Sequence, residues 1–353
     1  MAVSKNTRVR EVRMPAEWEP HEATWLAWPH NRNDWPGKFA PIPWVYTEII
    51  RHLYQRERVC LVVEDEGHER KAQRALRQAM VDLSRVSFHR FPSDRSWLRD
   101  TGPIFVKKGG KVSSTCWKFN AWAKYGNWEK DATVGRKVAK AANTEINEPQ
   151  HNGRRVVLEG GAIDANGQGA LLTTEECLLG ETQQRNPGMT REEWEQVFAE
   201  HLGVSKVLWL GQGIAGDDTH GHIDDLARFV GRRTVVTVTE EDPADVNFQP
   251  LRDNLRRLKK MSDQEGRPLE VIELPMPRPI HFQGVRVPAS YANFYIANGL
   301  VLVPTFNDPR DRRALETLAR VFPGRDVVGI HAVDLVWGFG TLHCATQQQP
   351  AAG

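Results

Sequence analysis

The sequence predicts an α/β protein made of five pseudo-symmetric ββαβ units that close into a ring. Tight turns between apolar runs recur roughly every 60 residues, near residues 109, 167, 231 and 299. A helical stretch and a further short strand follow these hairpins. The 353 residues hold about five units of this size, if the C-terminus completes a unit with the apolar segment 24–28.

Each hairpin is predicted from its turn residues, because glycine and Asn-Gly favour the backbone of tight turns. The first strands and their turns are 103–106 with Gly109-Gly110, 161–164 with Gly167, 226–230 with Gly231-Arg232, and 294–296 with Asn298-Gly299. Helices are predicted over 191–202, after the capping box Thr190-x-x-Glu193, and over 243–261 and 311–321. Strands should follow at 204–210, 269–274 and 325–330. No flexible linker interrupts the pattern, so residues 1–353 are expected to form a single catalytic domain.

Composition excludes several classes of protein. A content of 40% hydrophobic and 26% charged residues is typical of a globular chain, and the net charge is only +2. No basic run could follow a phosphate backbone, so nucleic acid is not an expected partner. No apolar window is long enough to span a membrane, and residues 1–10 lack the apolar segment of a secretion signal. We therefore expect a soluble cytoplasmic protein without a membrane partner. The sequence leaves self-association into a homo-oligomer open.

Polar clusters precede the first strand at equivalent places in successive units. Their chemically active side chains are Asp100, Glu159, and the pair His222 and Asp224. Equivalent positions in a ring converge on its axis, so these side chains are expected to meet. The fifth unit contributes Cys344, which follows a glycine-bearing approach. Taken singly, each residue has a structural explanation, such as a surface ion pair, a turn or a buried thiol; their joint occurrence favours a site.

Three carboxylates, a histidine and a cysteine on one axis are costly to desolvate without a cation, and Arg99 is the only cation in these clusters. We infer that the missing cation is the substrate. A planar guanidinium suits paired carboxylates, predicted to be Asp100 and Asp224, and Trp97 is placed to stack on it.

The predicted reaction is covalent. The Cys344 thiolate, favoured by the nearby cation and His222, attacks the guanidinium carbon and expels ammonia. His222 protonates the leaving group and then deprotonates the water that hydrolyses the thiouronium, while Glu159 orients His222.

The chain resembles the agmatine deiminases of the bacterial (Porphyromonas-type) peptidyl-arginine deiminase family. This family belongs to the guanidino-group-modifying superfamily. The resemblance runs nearly end to end. It rests on MPAEWEPH at 14–21, WLRDTGP at 97–103, LEGG at 158–161, LLTTEECLL at 171–179, GHID at 221–224, SYANFY at 290–295 and HCATQQQP at 343–350.

The resemblance implies a five-bladed α/β propeller (the pentein fold) with no metal and no organic cofactor. It implies conversion of agmatine to N-carbamoylputrescine and ammonia, on a route to putrescine. The roles it carries to this chain are nucleophile for Cys344, acid and base for His222, guanidinium carboxylates for Asp100 and Asp224, supporting glutamate for Glu159, and aromatic wall for Trp97.

Two departures from the family pattern concern the substrate pocket. The family usually has Gly-Gly-Gly-Asn before its nucleophile, where this chain has Gly338-Phe339-Gly340-Thr341. Agmatine deiminases commonly have Glu four residues before the catalytic histidine, where this chain has the shorter Asp218. Asp218 is expected to help receive the distal amine of agmatine.

Alternative functions stay open on the sequence alone. A deiminase of arginine in peptides would need an open cleft, and one of free arginine would need a cation for the substrate carboxylate. A metal-dependent amidohydrolase would use His220-x-His222-x-Asp224 as ligands on one strand face. A non-catalytic module would bind guanidinium ligands without turnover.

Overall fold

The computed structural model describes residues 12–352. Within them the strands are β1 Val12–Arg13, β2 His21–Ala27, β3 Arg58–Val63, β4 Val86–Arg90, β5 Ile104–Lys108, β6 Lys111–Thr115, β7 Glu145–Asn147, β8 Gln150–His151, β9 Arg154–Arg155, β10 Asp164–Ala165, β11 Ala170–Thr174, β12 Lys206–Leu210, β13 Ala227–Phe229, β14 Thr234–Thr239, β15 Glu270–Pro275, β16 His281–Phe282, β17 Val285–Arg286, β18 Tyr295–Ala297, β19 Leu300–Thr305, β20 Asp326–His331 and β21 Thr346–Pro350. The helices are α1 Ile42–Leu53, α2 Glu66–Gln78, α3 Leu98–Thr101, α4 Asp131–Ala141, α5 Glu175–Leu179, α6 Arg191–Leu202, α7 Phe248–Lys260, α8 Arg310–Val321 and α9 Leu342–Ala345.

Five sheets share one strand pattern, an antiparallel pair followed by a parallel one. It is seen in β5–β6–β7, β10–β11–β12, β13–β14–β15 and β18–β19–β20. In the fifth sheet β21, near the C-terminus, pairs antiparallel with β2, which pairs parallel with β3. The parallel partners are separated by helices, as parallel connections require. The predicted α/β class is confirmed.

The structure departs from the predicted elements in several places, and most of the strand predicted over 161–164 is a 3-10 turn followed by β10. Helix α7 begins at Phe248 rather than near residue 243, because Asn247 accepts a hydrogen bond from the Ala215 backbone and the preceding residues form turns. Strand β4 extends the fifth sheet, and β8–β9 and β16–β17 form separate small hairpins. The capping box of α6 is present as predicted, with Thr190 and Glu193 bonded reciprocally.

Short turns at the start of the first strand of each unit carry the predicted site residues. Helix α3 lies just before β5, and α9 leads directly into β21. Single 3-10 turns, 160–162 and 223–225, precede β10 and β13. Between residues 12 and 352, no helix has both the length and the apolar character needed to cross a membrane. Residues 1–11, on which the expectation about secretion rests, lie outside the described residues.

Candidate active site

A cavity of about 380 Å³ opens onto the side chains that the sequence singled out. Asp100, Trp97, Asp218 and Cys344 line it. Glu159, His222 and Asp224 are at most 1% exposed. The structure therefore brings together an aromatic ring, a thiol, an imidazole and several carboxylates, although the chain separates the first from the last by more than 240 residues.

Gly161 marks the point on which three of these side chains converge. Its backbone N–H donates to Asp100 Oδ1 at 2.9 Å. A Cβ built on Gly161 would lie 2.5 Å from His222 Nδ1, 3.0 Å from Asp100 Oδ1 and 3.1 Å from Asp224 Oδ2. The absence of a side chain here lets the base and both carboxylates face the same small space.

The variant Gly161→Ala is therefore expected to lose activity by about 100-fold or more, since small displacements of reacting groups have effects of this size. The methyl group would displace His222 or its carboxylate neighbours. Ammonia release measures the loss. Gly126→Ala is the matched control, because a Cβ there meets no atom within 4 Å, and it should retain full activity. Equal activity in the two variants would contradict the convergence described above.

His222 is supported by a buried ion pair. Its Nε2 lies 3.7 Å from Glu159 Oε2, and Arg185 Nε donates to Glu159 Oε1 at 3.1 Å. Burial would raise the pKa of Glu159, but the Arg185 guanidinium and His222 lower it to about 2. Burial would lower the pKa of His222, but the carboxylates of Asp100 and Glu159 raise it well above its usual value. The imidazole is therefore held as a cation that can give up a proton.

The two predicted guanidinium carboxylates have different surroundings. Asp100 Oδ2 accepts from Trp122 Nε1 at 2.9 Å, and burial raises the pKa of Asp100. Asp224 Oδ2 accepts from His343 Nδ1 at 2.7 Å, while Asp224 Oδ1 has no hydrogen-bond partner. Burial would raise the pKa of Asp224, but the bond from His343 lowers it. Asp224 thus presents one free, charged oxygen.

Cys344 is a protonated thiol when no ligand is bound. Its Sγ lies 3.7 Å from Asp224 Oδ2 and receives a hydrogen bond of 3.2 Å from Asn293 Nδ2. Burial raises the pKa of Cys344 well above its usual value, and the carboxylates of Asp224, Asp225 and Asp100 raise it further. Among residues 12–352 the partners of Cys344 Sγ are Asn293 and Asp224, so the cation that would favour the thiolate expected from the sequence has to come with a ligand.

Arginines from outside the polar clusters also lie close to the site. Arg185 pairs with Glu159, and Arg228 Nε donates to Asp164 Oδ1 at 3.1 Å. Arg99 itself donates to Gln348 Oε1 at 2.7 Å and to Glu17 Oε2 at 3.4 Å. These cations come from loops and strands outside the clusters, so the sequence pattern does not reveal them. The groups that still need a cation from a ligand are therefore Asp100, Asp224 and Cys344.

Asn293 is a site residue that sequence reasoning missed. Its Oδ1 accepts from Thr341 Oγ1 at 2.7 Å and from the backbone N–H of His343 at 3.1 Å, while its Nδ2 reaches Cys344. It precedes β18, which is the position in the fourth unit equivalent to the clusters of the other units. That equivalence was the signal that could have found it. Trp122, Arg185 and His343 were also missed.

The loop before Cys344 packs against Trp97, the predicted aromatic wall. A Cβ on Gly338 would lie 2.7 Å from Trp97 Cζ2, and one on Gly340 would lie 3.0 Å from Trp97 Cζ3. Phe339, between them, adopts a left-handed backbone with φ 63° and lines the cavity. Thr341 supplies the contact to Asn293. The loop therefore keeps glycine where the Trp97 ring lies closest.

Asp218 lies at the cavity, but its carboxylate has partners within the protein. Tyr125 donates its hydroxyl proton to Asp218 Oδ2 at 2.6 Å, and Lys124 pairs with Oδ1. Gln183 holds the Asp218 backbone carbonyl at 3.0 Å. The negative charge available to a ligand at this end of the cavity is therefore reduced by Lys124.

One set of described residues has metal-ligand character. Ligand atoms of Glu159, Cys177 and His222 lie within 4.8 Å of one another, and all three residues are buried. The ligand set of the amidohydrolase alternative is not gathered, because His220 faces Glu176 at 3.7 Å and Asp224 is bonded to His343. His222 could serve either a metal or proton transfer, and Arg185 already balances the charge of Glu159.

Comparison with known proteins gives one consistent result. The family model described as Porphyromonas-type peptidyl-arginine deiminase matches residues 13–350. A protein of Ectopseudomonas mendocina named agmatine deiminase is 35% identical over 362 residues, which cover 96% of this chain and 95% of that protein. The solved agmatine deiminase of Enterococcus faecalis is 32% identical, with a TM-score of 0.88 and 97% of each chain covered. A Cys-to-Ser variant of the C. jejuni agmatine deiminase, solved with substrate bound, is 28% identical, with a TM-score of 0.86 and 97% of each chain covered.

Proposed function

Because this chain belongs to the Porphyromonas-type peptidyl-arginine deiminase family, we propose that it hydrolyses agmatine to N-carbamoylputrescine and ammonia, as a step in putrescine biosynthesis. The observation that carries the proposal is negative charge around Cys344 that no positive group of the site compensates. Asp224 Oδ1 has no partner, and Cys344 lies among carboxylates that oppose its ionisation. A bound guanidinium supplies the charge that both groups lack.

The first half-reaction starts when Asp100 and Asp224 accept N–H donors from the guanidinium. The bound cation lowers the pKa of the Cys344 thiol, which releases its proton to solvent, and the sulfur attacks the guanidinium carbon. A carbon–sulfur bond forms, giving a tetrahedral intermediate. Imidazolium His222 then protonates one terminal nitrogen, the carbon–nitrogen bond breaks, and ammonia leaves with a thiouronium on Cys344.

The second half-reaction reverses the role of His222. As a neutral imidazole it takes a proton from water, which attacks the thiouronium carbon. The carbon–sulfur bond breaks, the departing sulfur takes up the hydroxyl proton of the tetrahedral intermediate to restore the Cys344 thiol, and the ureido product is released. Glu159, held by Arg185 at 3.1 Å, stabilises the imidazolium at the start and end of the cycle, much as an acid supports the base of a catalytic triad.

The value of kcat/KM for agmatine should rise as the pH increases from the acid range to above neutrality, because binding and attack need ionised groups in the free enzyme. Burial raises the pKa of Asp100, and burial with nearby carboxylates raises that of Cys344. Protonated forms of both therefore persist to higher pH than usual. A falling limb follows where His222 loses its proton. Initial rates across this range measure the profile, and a kcat/KM that falls from the acid range upward would contradict the assignment.

We also propose that the five sheets form a five-bladed α/β propeller of the pentein type and that the whole chain is a single catalytic domain. The shared strand pattern of the five sheets supports the first proposal. The second is supported by the site, since Asp100, Glu159, His222, Asn293 and Cys344 precede the first strands of five different units. A site built in this way needs every unit.

The test of function is ammonia release in EDTA from agmatine, free arginine and an arginyl peptide, measured side by side. Turnover of agmatine alone is expected, because a cavity of about 380 Å³ accommodates a small guanidino compound. Asp218, with Lys124 and Tyr125, is proposed to bind the distal amine through an oxygen shared with its protein partners. If the peptide were the preferred substrate, the activity would be protein citrullination. Activity that EDTA abolished would instead favour a metal.

A further inference from the structure

His343 lies between two buried carboxylates from distant parts of the chain. Its Nδ1 lies 2.7 Å from Asp224 Oδ2, and its Nε2 lies 2.8 Å from Glu17 Oε2. All three residues are at most 5% exposed. Because an ionised carboxylate only accepts hydrogen bonds, each of these two contacts is made by a donating ring nitrogen of His343. No step of the proposed reaction uses this residue.

Glu17 is fixed independently of His343. Arg228 Nη2 lies 2.9 Å from Glu17 Oε2, and Arg99 Nη2 donates to the same oxygen at 3.4 Å. The backbone N–H of Ile296 donates to Glu17 Oε1 at 2.8 Å. Burial would raise the pKa of Glu17, but Arg228 and His343 lower it well below its usual value. Glu17 is therefore a charged anchor, supplied by the N-terminal motif 14–21 to which no function has been given above.

Asp224 lies at the other end of this chain of contacts. His343 occupies its Oδ2, so the carboxylate cannot rotate without losing a charged hydrogen bond in a dry environment. Its Oδ1 is buried and has no partner. The carboxylate is thus held by one oxygen and free at the other, beside the Cys344 sulfur, which lies 3.7 Å from Oδ2.

We propose that His343, anchored by Glu17, is a positioning residue that keeps Asp224 charged and oriented to receive the substrate guanidinium. The proposal rests on the proposed function and deepens it, since it names what orients one of the two guanidinium carboxylates. His343 acts through Asp224 and does not itself touch the substrate.

Two substitutions separate the two ends of the imidazole. In His343→Asn the side-chain amide NH₂ lies where Nδ1 was, so it can still donate to Asp224 but no longer reaches Glu17. In His343→Gln the amide reaches the position of Nε2, so it keeps Glu17 and loses Asp224. Each variant is combined with Cys344→Ala to stop turnover, and agmatine binding is measured by calorimetry. Circular dichroism melting reports the stability of each protein.

His343→Gln should weaken agmatine binding by about 10- to 100-fold relative to Cys344→Ala alone, the range for losing a hydrogen bond to a charged group. His343→Asn should weaken it by about 5-fold or less, even though both variants melt at lower temperature. A purely structural role would lower both melting temperatures and leave both affinities equal, and that result would overturn the proposal.

Glu17→Gln, with Cys344 intact, tests the contact between Glu17 and His343 from the Glu17 side. It keeps the proposal testable if His343→Gln does not fold. Its KM for agmatine should rise by a larger factor than its kcat falls, because the loss concerns binding. A fall in kcat alone would overturn the role of His343. If the wild-type protein did not turn over agmatine, the proposed function itself would be overturned. If the wild type turned over agmatine but the two His343 variants had equal affinities, only the role of His343 would be overturned.

Discussion

Replacing Cys344 by alanine is expected to abolish ammonia release from agmatine while leaving agmatine binding intact. Of the four cysteines, which are all buried and unpaired, Cys344 alone lines the cavity. Without its sulfur no thiouronium forms, and water must attack the guanidinium directly. We expect a loss in kcat of about 10⁴-fold or more, by analogy with the removal of other enzymic nucleophiles.

Agmatine affinity of Cys344→Ala should be equal to that of the wild type or higher. The carboxylates of Asp100 and Asp224 remain, and no thiol has to ionise. Coupled ammonia detection and calorimetry measure the two quantities on one preparation. Cys60→Ala is the matched control, because Cys60 is a buried thiol packed among the side chains of β2 and β3, away from the cavity. Measurable turnover by Cys344→Ala would remove it from the role of nucleophile.

Elements fixed by local chemistry could be predicted from the sequence. The Asn298-Gly299 turn specifies the β18–β19 hairpin within a few residues, and the Thr190 capping box specifies the first residue of α6. The start of α7 could not be predicted, because Asn247 caps a distant backbone N–H rather than its own helix. Its residues suit a helix, and a tertiary contact decides where the helix begins.

Among the site residues, position in the repeat decided what could be predicted. Asp100, Glu159, His222, Asp224 and Cys344 occupy equivalent places, and the structure gathers them around one cavity and the space beneath it. Asn293 shares that position but was not predicted, because the search for site residues relied on charged and nucleophilic side chains and its amide is neither.

Residues outside the repeat pattern could not be found in this way. Arg185 comes from the loop between α5 and α6, and Glu17 meets His343 across 326 residues of chain. Such pairings depend on how the units are placed in space, which neither local propensity nor spacing along the chain encodes. The protonation state of Cys344 is missed for the same reason, because it depends on carboxylates contributed by other units.

The second large effect is expected for the guanidinium carboxylates, and the two should differ. In a Cys344→Ala background, Asp224→Asn should cost about 2–5 kcal/mol of agmatine binding, the range for removing one partner of a buried charged pair. This corresponds to a loss of affinity of roughly 30-fold or more. Asp100→Asn should cost less, because both Asp100 oxygens already accept hydrogen bonds within the protein, whereas Asp224 Oδ1 has no partner.

Asp225 provides the matched control for both carboxylates, since it is the next residue to Asp224 and equally buried from solvent, at 4% exposure. Burial and the neighbouring Asp224 charge raise the pKa of Asp225 well above its usual value, and its Oδ1 already accepts a hydrogen bond from Asn293 Nδ2 at 3.0 Å. Asp225→Asn changes a carboxyl group whose Oδ1 is already bonded within the protein, and it should leave agmatine affinity nearly unchanged. If Asp225→Asn weakened binding as much as Asp224→Asn, the effect would come from altered packing of this turn, and the charge of Asp224 would lose its assigned role. The contrast between adjacent residues thus tests whether the site recognises its ligand through a specific ionised oxygen or through bulk negative charge.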